Sequence, residues 1–434
     1  MKFQGKSFKT SFLLALVPLT FSTVISSSVS LDIPSVRRSL SAISPINLIK
    51  GGSGLGITFD NGYKYDVTAS PKGPLPPRTS GDAPWTQAES SYRIMISCPG
   101  GIKNKPKGIV LLVPGTGTNG SESYKSTPFY QGLPSLGFDL CWIDLPNYSM
   151  SDMQLSAEFI AYAVKFLAPK SRGGKLNIIS YSQGGPDVQW ASTFWPSIQG
   201  LVTGFIAVAP SMKGSDSTNL LCVLSVATGG CLPSVLQQLS TSNFMKAATS
   251  LKDTRSPAYA LLPTTIIYSR SDEIVTPQVG PNASSRLLGA SNIAIQDICG
   301  AAHLVGHFGI MGDMGVYAIA LDALLKGRPA NQTTVDRSYC NKSASSLGFQ
   351  LGNLENDLKE AFRTGVGGER GDMLASELRT LRIPAEPYLQ KYVCDRGVLR
   401  RQAVHSHINL LIIQLCKWQC SVCGSLIVYN RLLQ

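Results

Sequence analysis

The chain has 434 residues, of which 43% are hydrophobic, so it can bury a large core and is neither disordered nor of low complexity. Its formal net charge of +12 would suit a nucleic-acid or membrane-surface partner. However, residues 1–38 and 395–434 each carry a net +4, which leaves only +4 for the rest. Because that central part has no block of Lys and Arg, the charge pattern argues against a phosphate-binding groove.

The first thirty residues predict a signal peptide. Lys2, Lys6 and Lys9 precede an apolar run at 12–25, and small residues follow at 26–30. A membrane anchor is the alternative, but the run falls short of the roughly 20 apolar residues that span a bilayer. We therefore expect an exported protein.

Two features agree with passage through a eukaryotic secretory route. The chain has ten cysteines, and five Asn-x-Ser/Thr sequons occur at Asn119, Asn147, Asn282, Asn331 and Asn341. We expect an extracellular glycoprotein with disulfide bonds.

The segments on either side of the central part have a different character. Residues 31–90 are rich in Ser, Gly and Pro without a sustained period, which predicts a pro-region or flexible N-terminal arm. Residues 395–434 form an atypical C-terminal tail. Its histidines and cysteines are too irregularly spaced for a zinc site in an exported chain, and we expect no metal and no cofactor.

Between residues 91 and 394, short apolar runs alternate with longer helical stretches. Strands are predicted at Ile109–Val113, Leu140–Ile143, Leu176–Ser180, Val202–Val208, Thr265–Tyr268 and Ile293–Ile298. Helices are predicted at Met153–Leu167, Gly185–Trp195, Ser234–Thr249 and Gly312–Leu325. Buried strands alternating with helices predict the α/β class, with a mostly parallel central sheet and helices on both faces.

The segment NIISYSQGG, residues 177–185, leads a predicted strand into a serine followed by glycines. A serine hydroxyl becomes a nucleophile when a base removes its proton and a tight turn exposes it. The pattern Gly-x-Ser-x-Gly provides such a turn, and here Ser180 replaces the first glycine around Ser182. An ordinary junction between strand and helix remains the alternative reading of these residues alone.

A nucleophilic serine needs a carboxylate and then a histidine, in that chain order. The sequence offers four histidines: His303, His307, His405 and His407. The candidate acids are Asp272 and Glu273 after a predicted strand, with Asp253 and Asp187 as weaker choices. The Gly-rich segment VLLVPGTGTNG, residues 110–120, could supply backbone N–H groups for an oxyanion.

Four segments together resemble the fungal lipase B family. They are residues 110–120, SYSQGGPDVQW at 180–190, LLPTTIIYSRSDEIVTPQV at 261–279, and ICGAAHLVGH at 298–307. The likeness runs from about Cys98 to Cys340, and more weakly to Cys394. It implies an α/β-hydrolase with a small lid region. It also implies a monomeric triacylglycerol lipase or carboxylesterase that meets acylglycerols or other esters at a lipid–water interface and binds no nucleic acid.

Position by position, the resemblance implies that Ser182 is the nucleophile, that Asp272 orients the base, and that His307 is the base. The oxyanion hole would fall on Thr116 and on the backbone N–H of Gln183.

The sequence also departs from the family pattern at three positions. Gly306 stands where the family has an acidic residue, Ser211 where it has Asp, and Tyr181 where it has Trp. The family assigns Ser211 and Tyr181 to the substrate pocket, so the shape and polarity of that pocket are expected to differ.

By similarity, Cys98 would pair with Cys141, and Cys299 with Cys340. Cys222 and Cys231 lie close together in the stretch that forms the lid in this fold, and we expect them to clip it. Two rival functions remain: a short-chain esterase or acyltransferase, and an inactive extracellular binding protein.

Overall fold

The computed structural model describes residues 57–58, 64–65, 72–217, 231–250, 257–367 and 385–396. The chain divides into two compact units, Met1–Ile43 and Ser44–Gln434, and every described residue lies in the second. Its α-helices are α1 Glu89–Arg93, α2 Gly120–Tyr124, α3 Pro128–Gly132, α4 Pro146–Ser149, α5 Met153–Leu167, α6 Gly184–Phe194, α7 Pro233–Gln237, α8 Asn243–Ala248, α9 Ile295–Cys299, α10 Met314–Lys326, α11 Leu354–Gly367 and α12 Lys391–Asp395.

The main sheet has seven strands in the order β3-β5-β4-β6-β7-β8-β9. The strands are β3 Ile96–Ser97, β4 Ile109–Val113, β5 Asp139–Ile143, β6 Leu176–Tyr181, β7 Val202–Val208, β8 Thr264–Tyr268 and β9 Ser291–Ala294. Only β3 runs antiparallel to its neighbour, and the other pairs are parallel. A separate antiparallel pair joins β1 Ile57–Thr58 to β2 Lys64–Tyr65.

Both faces of the sheet are covered, and β4 shows why a central strand is apolar along its whole length. Ile109, Leu111 and Val113 belong to one hydrophobic cluster, which includes residues of α5 and α6. Val110 and Leu112 belong to the other, which includes residues of α10. Since successive side chains point to opposite faces of a strand, a sheet packed on both sides needs apolar residues throughout. This is the doubly covered α/β architecture that the sequence predicts.

Most predicted elements are confirmed to within one or two residues, but two predictions are wrong. The predicted strand Ile293–Ile298 ends at Ala294, after which the chain turns into α9. The predicted helix Ser234–Thr249 is split into α7 and α8. The split occurs because the Gln238 carbonyl accepts the Ser215 N–H, and the Ser242 side chain then caps α8.

The second part of the expected flexible arm packs against the rest of the unit. Within residues 72–90, Trp85 is 8% exposed and stacks on Trp195 with ring centroids 6.0 Å apart. The carboxylate of Asp82 is paired with Lys165 at 2.8 Å. Apolar burial and this shielded ion pair hold residues that composition alone assigns to a loose segment.

Disulfides join Cys98 to Cys141 and Cys299 to Cys340, as the family resemblance implies. Cys231 and Cys394 are disulfide-bonded as well. Cys222 and the rest of residues 218–230, where the lid is expected, lie outside the described residues. In the part of the chain that the structure describes, no helix is both long and apolar enough to cross a membrane.

Candidate active site

Ser182 occupies the tight turn between β6 and α6, where its backbone φ is 52°. This left-handed conformation is uncommon for a residue with a side chain and marks a strained turn. The glycines that follow it leave space for neighbouring segments. A Cβ at Gly184 would lie 2.7 Å from the Pro114 carbonyl oxygen, and one at Gly185 would lie 2.4 Å from Pro210 Cβ. The small residues in SYSQGG therefore let the turn approach the loops after β4 and β7.

Ser182, His307 and Asp272 form a hydrogen-bonded chain at the carboxyl ends of the strands. His307 Nε2 lies 3.0 Å from Ser182 Oγ, and His307 Nδ1 lies 2.8 Å from Asp272 Oδ2. All three residues are nearly buried, with exposures of 6%, 1% and 5%. Because a carboxylate only accepts hydrogen bonds, Nδ1 carries the proton of neutral His307, which leaves Nε2 to accept the serine hydroxyl proton.

Backbone groups of the loop after β8 hold Asp272 in place. Its Oδ1 accepts hydrogen bonds from Ile274 N–H at 2.9 Å and from Val275 N–H at 2.8 Å. Its Oδ2 is left to face His307. Each carboxylate oxygen thus has its own partners, which fixes the plane of the carboxylate relative to the imidazole ring.

A second set of hydrogen bonds connects the loop after β4 to the start of α6. Thr116 Oγ1 donates to Gln183 Oε1 at 2.7 Å, and Gln238 Nε2 donates to Thr116 Oγ1 at 2.9 Å and to Gln183 Oε1 at 3.0 Å. Ser211 Oγ donates to Gln238 Oε1 at 3.0 Å. The network fixes the Thr116 hydroxyl and orients the Gln238 amide, with its NH₂ group toward Thr116.

Beside Ser182 is a small, narrow pocket. Its described lining combines the polar side chains of this network with apolar ones: Thr116, Ser182, Ser211, Ser215, Val235, Gln238, Ile274, Val275 and Phe362. Phe362 comes from α11, and its ring lies 5.6 Å from that of Phe308. Ser211 therefore lines this pocket, whereas Tyr181 contributes to the support of His307 instead, with its hydroxyl 3.1 Å from the His307 carbonyl oxygen.

The other candidates from the sequence lie elsewhere or outside the described residues. His303 Nε2 is 2.6 Å from Asp313 Oδ2, on the side chain that caps α10. Asp187 accepts a hydrogen bond from Gln183 Nε2 at 3.2 Å and does not contact His307. Burial raises the pKa of Asp187 well above its ordinary value, and no cation pairs with it among the described residues. Asp253, His405 and His407 lie outside the described residues.

Sequence reasoning missed six of the nine residues that line the pocket, among them Gln238 and Phe362. Gln238 lies just beyond α7, in the stretch predicted as one continuous helix. Helix α11 was not predicted, although Leu354, Leu358, Phe362 and Val366 recur every four residues. That spacing places them on one face of a helix and is the signal that could have identified it.

Comparison with known proteins agrees with this geometry. Lipase B of Pseudozyma antarctica is 34% identical to this chain over 245 residues, which are 56% of this chain and 69% of that protein. The crystal structure of Aspergillus fumigatus lipase B matches with a TM-score of 0.61 and 28% sequence identity, covering 75% of this chain and 77% of that one. No family model matches the sequence.

The sheet order, the serine turn and these likenesses define an α/β-hydrolase of the carboxylic ester hydrolase class. Within that class, the chain belongs to the lipase B family.

Proposed function

We propose that this protein is a secreted triacylglycerol lipase or carboxylesterase that works through a covalent acyl-enzyme. The observation that carries the proposal is the unbroken chain of hydrogen bonds from Ser182 Oγ through His307 to Asp272 Oδ2, at 3.0 and 2.8 Å. Such an arrangement is what a serine needs to attack an ester carbonyl at neutral pH.

In the first half-reaction, Ser182 Oγ bonds to the ester carbonyl carbon while His307 Nε2 takes the hydroxyl proton. Asp272 stabilises the imidazolium that forms. The tetrahedral intermediate collapses when His307 returns the proton to the leaving alcohol, and the acyl group remains on Ser182. Water then repeats the sequence with His307 as the base and releases the carboxylic acid. The reaction as written consumes only ester and water.

The developing oxyanion would be held by Thr116 and by the backbone N–H of Gln183. Gln183 is the N-cap of α6, and the first N–H groups of a helix have no partner within it. The positive end of the helix macrodipole favours negative charge at the same place. The Thr116 hydroxyl must turn from Gln183 Oε1 toward the oxyanion, so one hydrogen bond is exchanged for a stronger one to a charged acceptor.

Two disulfides between described cysteines support export, because such bonds persist in oxidising compartments. The proposal assigns residues 1–30 to a signal peptide and 31–90 to a pro-region or arm, of which residues 72–90 pack against the catalytic unit. It assigns residues 91–394 to the catalytic domain and 395–434 to an atypical tail, with Cys222 and Cys231 clipping the lid. N-terminal sequencing and non-reducing peptide mapping of secreted protein test these boundaries and that pairing. A product starting at Met1, or Cys231 linked to another cysteine, would contradict them.

The test of function is hydrolysis of p-nitrophenyl esters and of emulsified tributyrin and triolein by the secreted monomer. Ser182→Ala should abolish turnover. Ser180→Ala is the matched control, because Ser180 lies on β6 two residues before Ser182 and its buried Oγ has no hydrogen-bond partner, so it should be dispensable. Turnover that survives in Ser182→Ala would overturn the mechanism. Turnover of tributyrin without triolein would favour a short-chain esterase, transfer to added alcohols would favour an acyltransferase, and a folded protein without turnover would favour a binding protein.

A further inference from the structure

Two side chains form hydrogen bonds with the backbone of His307, one with its N–H and the other with its carbonyl oxygen. Glu273 Oε2 accepts the His307 N–H at 3.0 Å, and the Tyr181 hydroxyl donates to the His307 carbonyl oxygen at 3.1 Å. Tyr181 precedes Ser182 in the chain, and Glu273 follows Asp272. The two residues that contact the imidazole ring therefore each have a neighbour that contacts the histidine backbone.

The contact with Glu273 depends on the glycine at position 306. A Cβ built on Gly306 would lie 2.6 Å from Glu273 Oε2 and 3.2 Å from both Cδ and Oε1 of the same carboxylate. The whole carboxylate thus lies against the Cα of Gly306. A side chain at this position would push Glu273 away from the His307 N–H, because separations below about 3 Å are not tolerated between such atoms.

Tyr181 is enclosed, which restricts the position of its hydroxyl. The side chain is 3% exposed, and its ring lies 5.2 Å from the His307 ring. The backbone of Gly115 also packs closely against the Tyr181 ring, because a Cβ at Gly115 would lie 2.9 Å from Tyr181 Cδ1. Burial, aided by the carboxylates of Asp272 and Glu273, raises the pKa of Tyr181 well above its ordinary value. The hydroxyl therefore stays protonated and remains a donor across the working pH range.

We propose that Tyr181 and Glu273 are positioning residues that fix the His307 backbone from both sides, and that Gly306 provides the space that Glu273 needs. Position 181 then supports the base of the reaction. The inference rests on the proposed function, since it concerns the same histidine. Its physical basis is that displacing a catalytic group by about 1 Å can cost on the order of 100-fold in rate.

The first test compares Tyr181→Phe, Glu273→Ala and Glu273→Gln on p-nitrophenyl butyrate. Tyr181→Phe and Glu273→Ala should each lower kcat by ~10-fold with little change in KM, because the base is displaced while the pocket is intact. Glu273→Gln should retain most of the activity, since its amide oxygen can accept the same N–H. The control is Glu360→Ala, which removes an exposed carboxylate that pairs with Arg363 on α11.

The second test is a double-mutant cycle between Gly306→Ala and Glu273→Ala. Gly306→Ala alone should lower kcat by about as much as Glu273→Ala, and it should add no further loss once Glu273 is absent. Equal losses from Gly306→Ala in both backgrounds would contradict the role of the glycine.

The variants also separate this inference from the proposed function. Wild-type kcat in Tyr181→Phe and Glu273→Ala, beside inactive Ser182→Ala, would overturn the inference but leave the proposed function intact. Activity in Ser182→Ala would instead defeat the proposed function. Circular dichroism checks that each variant folds. If Gly306→Ala does not fold, Tyr181→Phe and Glu273→Ala still test the roles of Tyr181 and Glu273.

Discussion

Replacing Thr116 by valine removes a hydroxyl and keeps the shape of the side chain. In the structure that hydroxyl donates to Gln183 Oε1 at 2.7 Å and accepts from Gln238 Nε2 at 2.9 Å. A net hydrogen bond is worth about 0.5–1.5 kcal/mol, so losing both costs about 1–3 kcal/mol of stability. The cost should fall in the lower half of that range, because Gln183 Oε1 retains the hydrogen bond from Gln238 Nε2 at 3.0 Å.

The effect on catalysis should be larger than the effect on stability. Removing one oxyanion-hole donor costs about 10²–10³ in kcat, or roughly 2.7–4 kcal/mol. The hydroxyl must first leave Gln183, which offsets about 1 kcal/mol of that gain. We therefore expect Thr116→Val to lower kcat by ~100-fold at nearly unchanged KM, and Thr116→Ser to recover most of it.

The assay is steady-state hydrolysis of p-nitrophenyl butyrate, normalised to active sites titrated with a fluorophosphonate, with urea unfolding measured in parallel. The loss of kcat is then compared with the loss of unfolding free energy in the same variant. A kcat within about threefold of the wild-type value, together with lower stability, would show that the hydroxyl only braces Gln183 and Gln238. The oxyanion hole would then consist of backbone N–H groups alone.

Three further predictions concern specificity, pH and glycosylation. Phe362→Ala should widen the pocket beside the serine and raise the ratio of kcat/KM for long over short acyl chains by ~10-fold; an unchanged ratio would remove this side chain from the acyl path. Burial raises the pKa of Glu158 to about 7 from 4.5, so the folded state holds the proton more tightly and the free energy of unfolding should fall by ~3 kcal/mol between about pH 4.5 and 7. Urea titrations at pH 5 and 8 should show a smaller fall in Glu158→Gln, and an equal fall would refute this. Asn119 and Asn147 are 2% and 0% exposed, so mass spectrometry of secreted protein should find no glycan there and should find glycans among the exposed sequons Asn282, Asn331 and Asn341.

Local sequence determined much of the fold because the strands are buried on both faces. Such strands appear in the sequence as short, mainly apolar runs, and residues 109–113 and 202–208 form strands with the predicted bounds. The same logic fails where an apolar run changes structure midway. Four of residues 293–298 are apolar and they are divided between β9 and α9; the strand stops at Ala294, the last residue that pairs with β8, opposite Tyr268.

The candidate nucleophile and its partners were predictable because few residues of the right type follow the strands in the right order. The sequence by itself determined the class of fold and named Ser182, Asp272 and His307 as candidates. The tertiary structure decided which histidine faces the serine, and it brought Gln238 and Phe362 to the pocket from segments distant in the chain. It also turned Glu273 and Tyr181 toward the His307 backbone. These contacts join strand ends and loops far apart in sequence, and no local periodicity encodes them, because they arise only when the sheet assembles and its carboxyl edge forms.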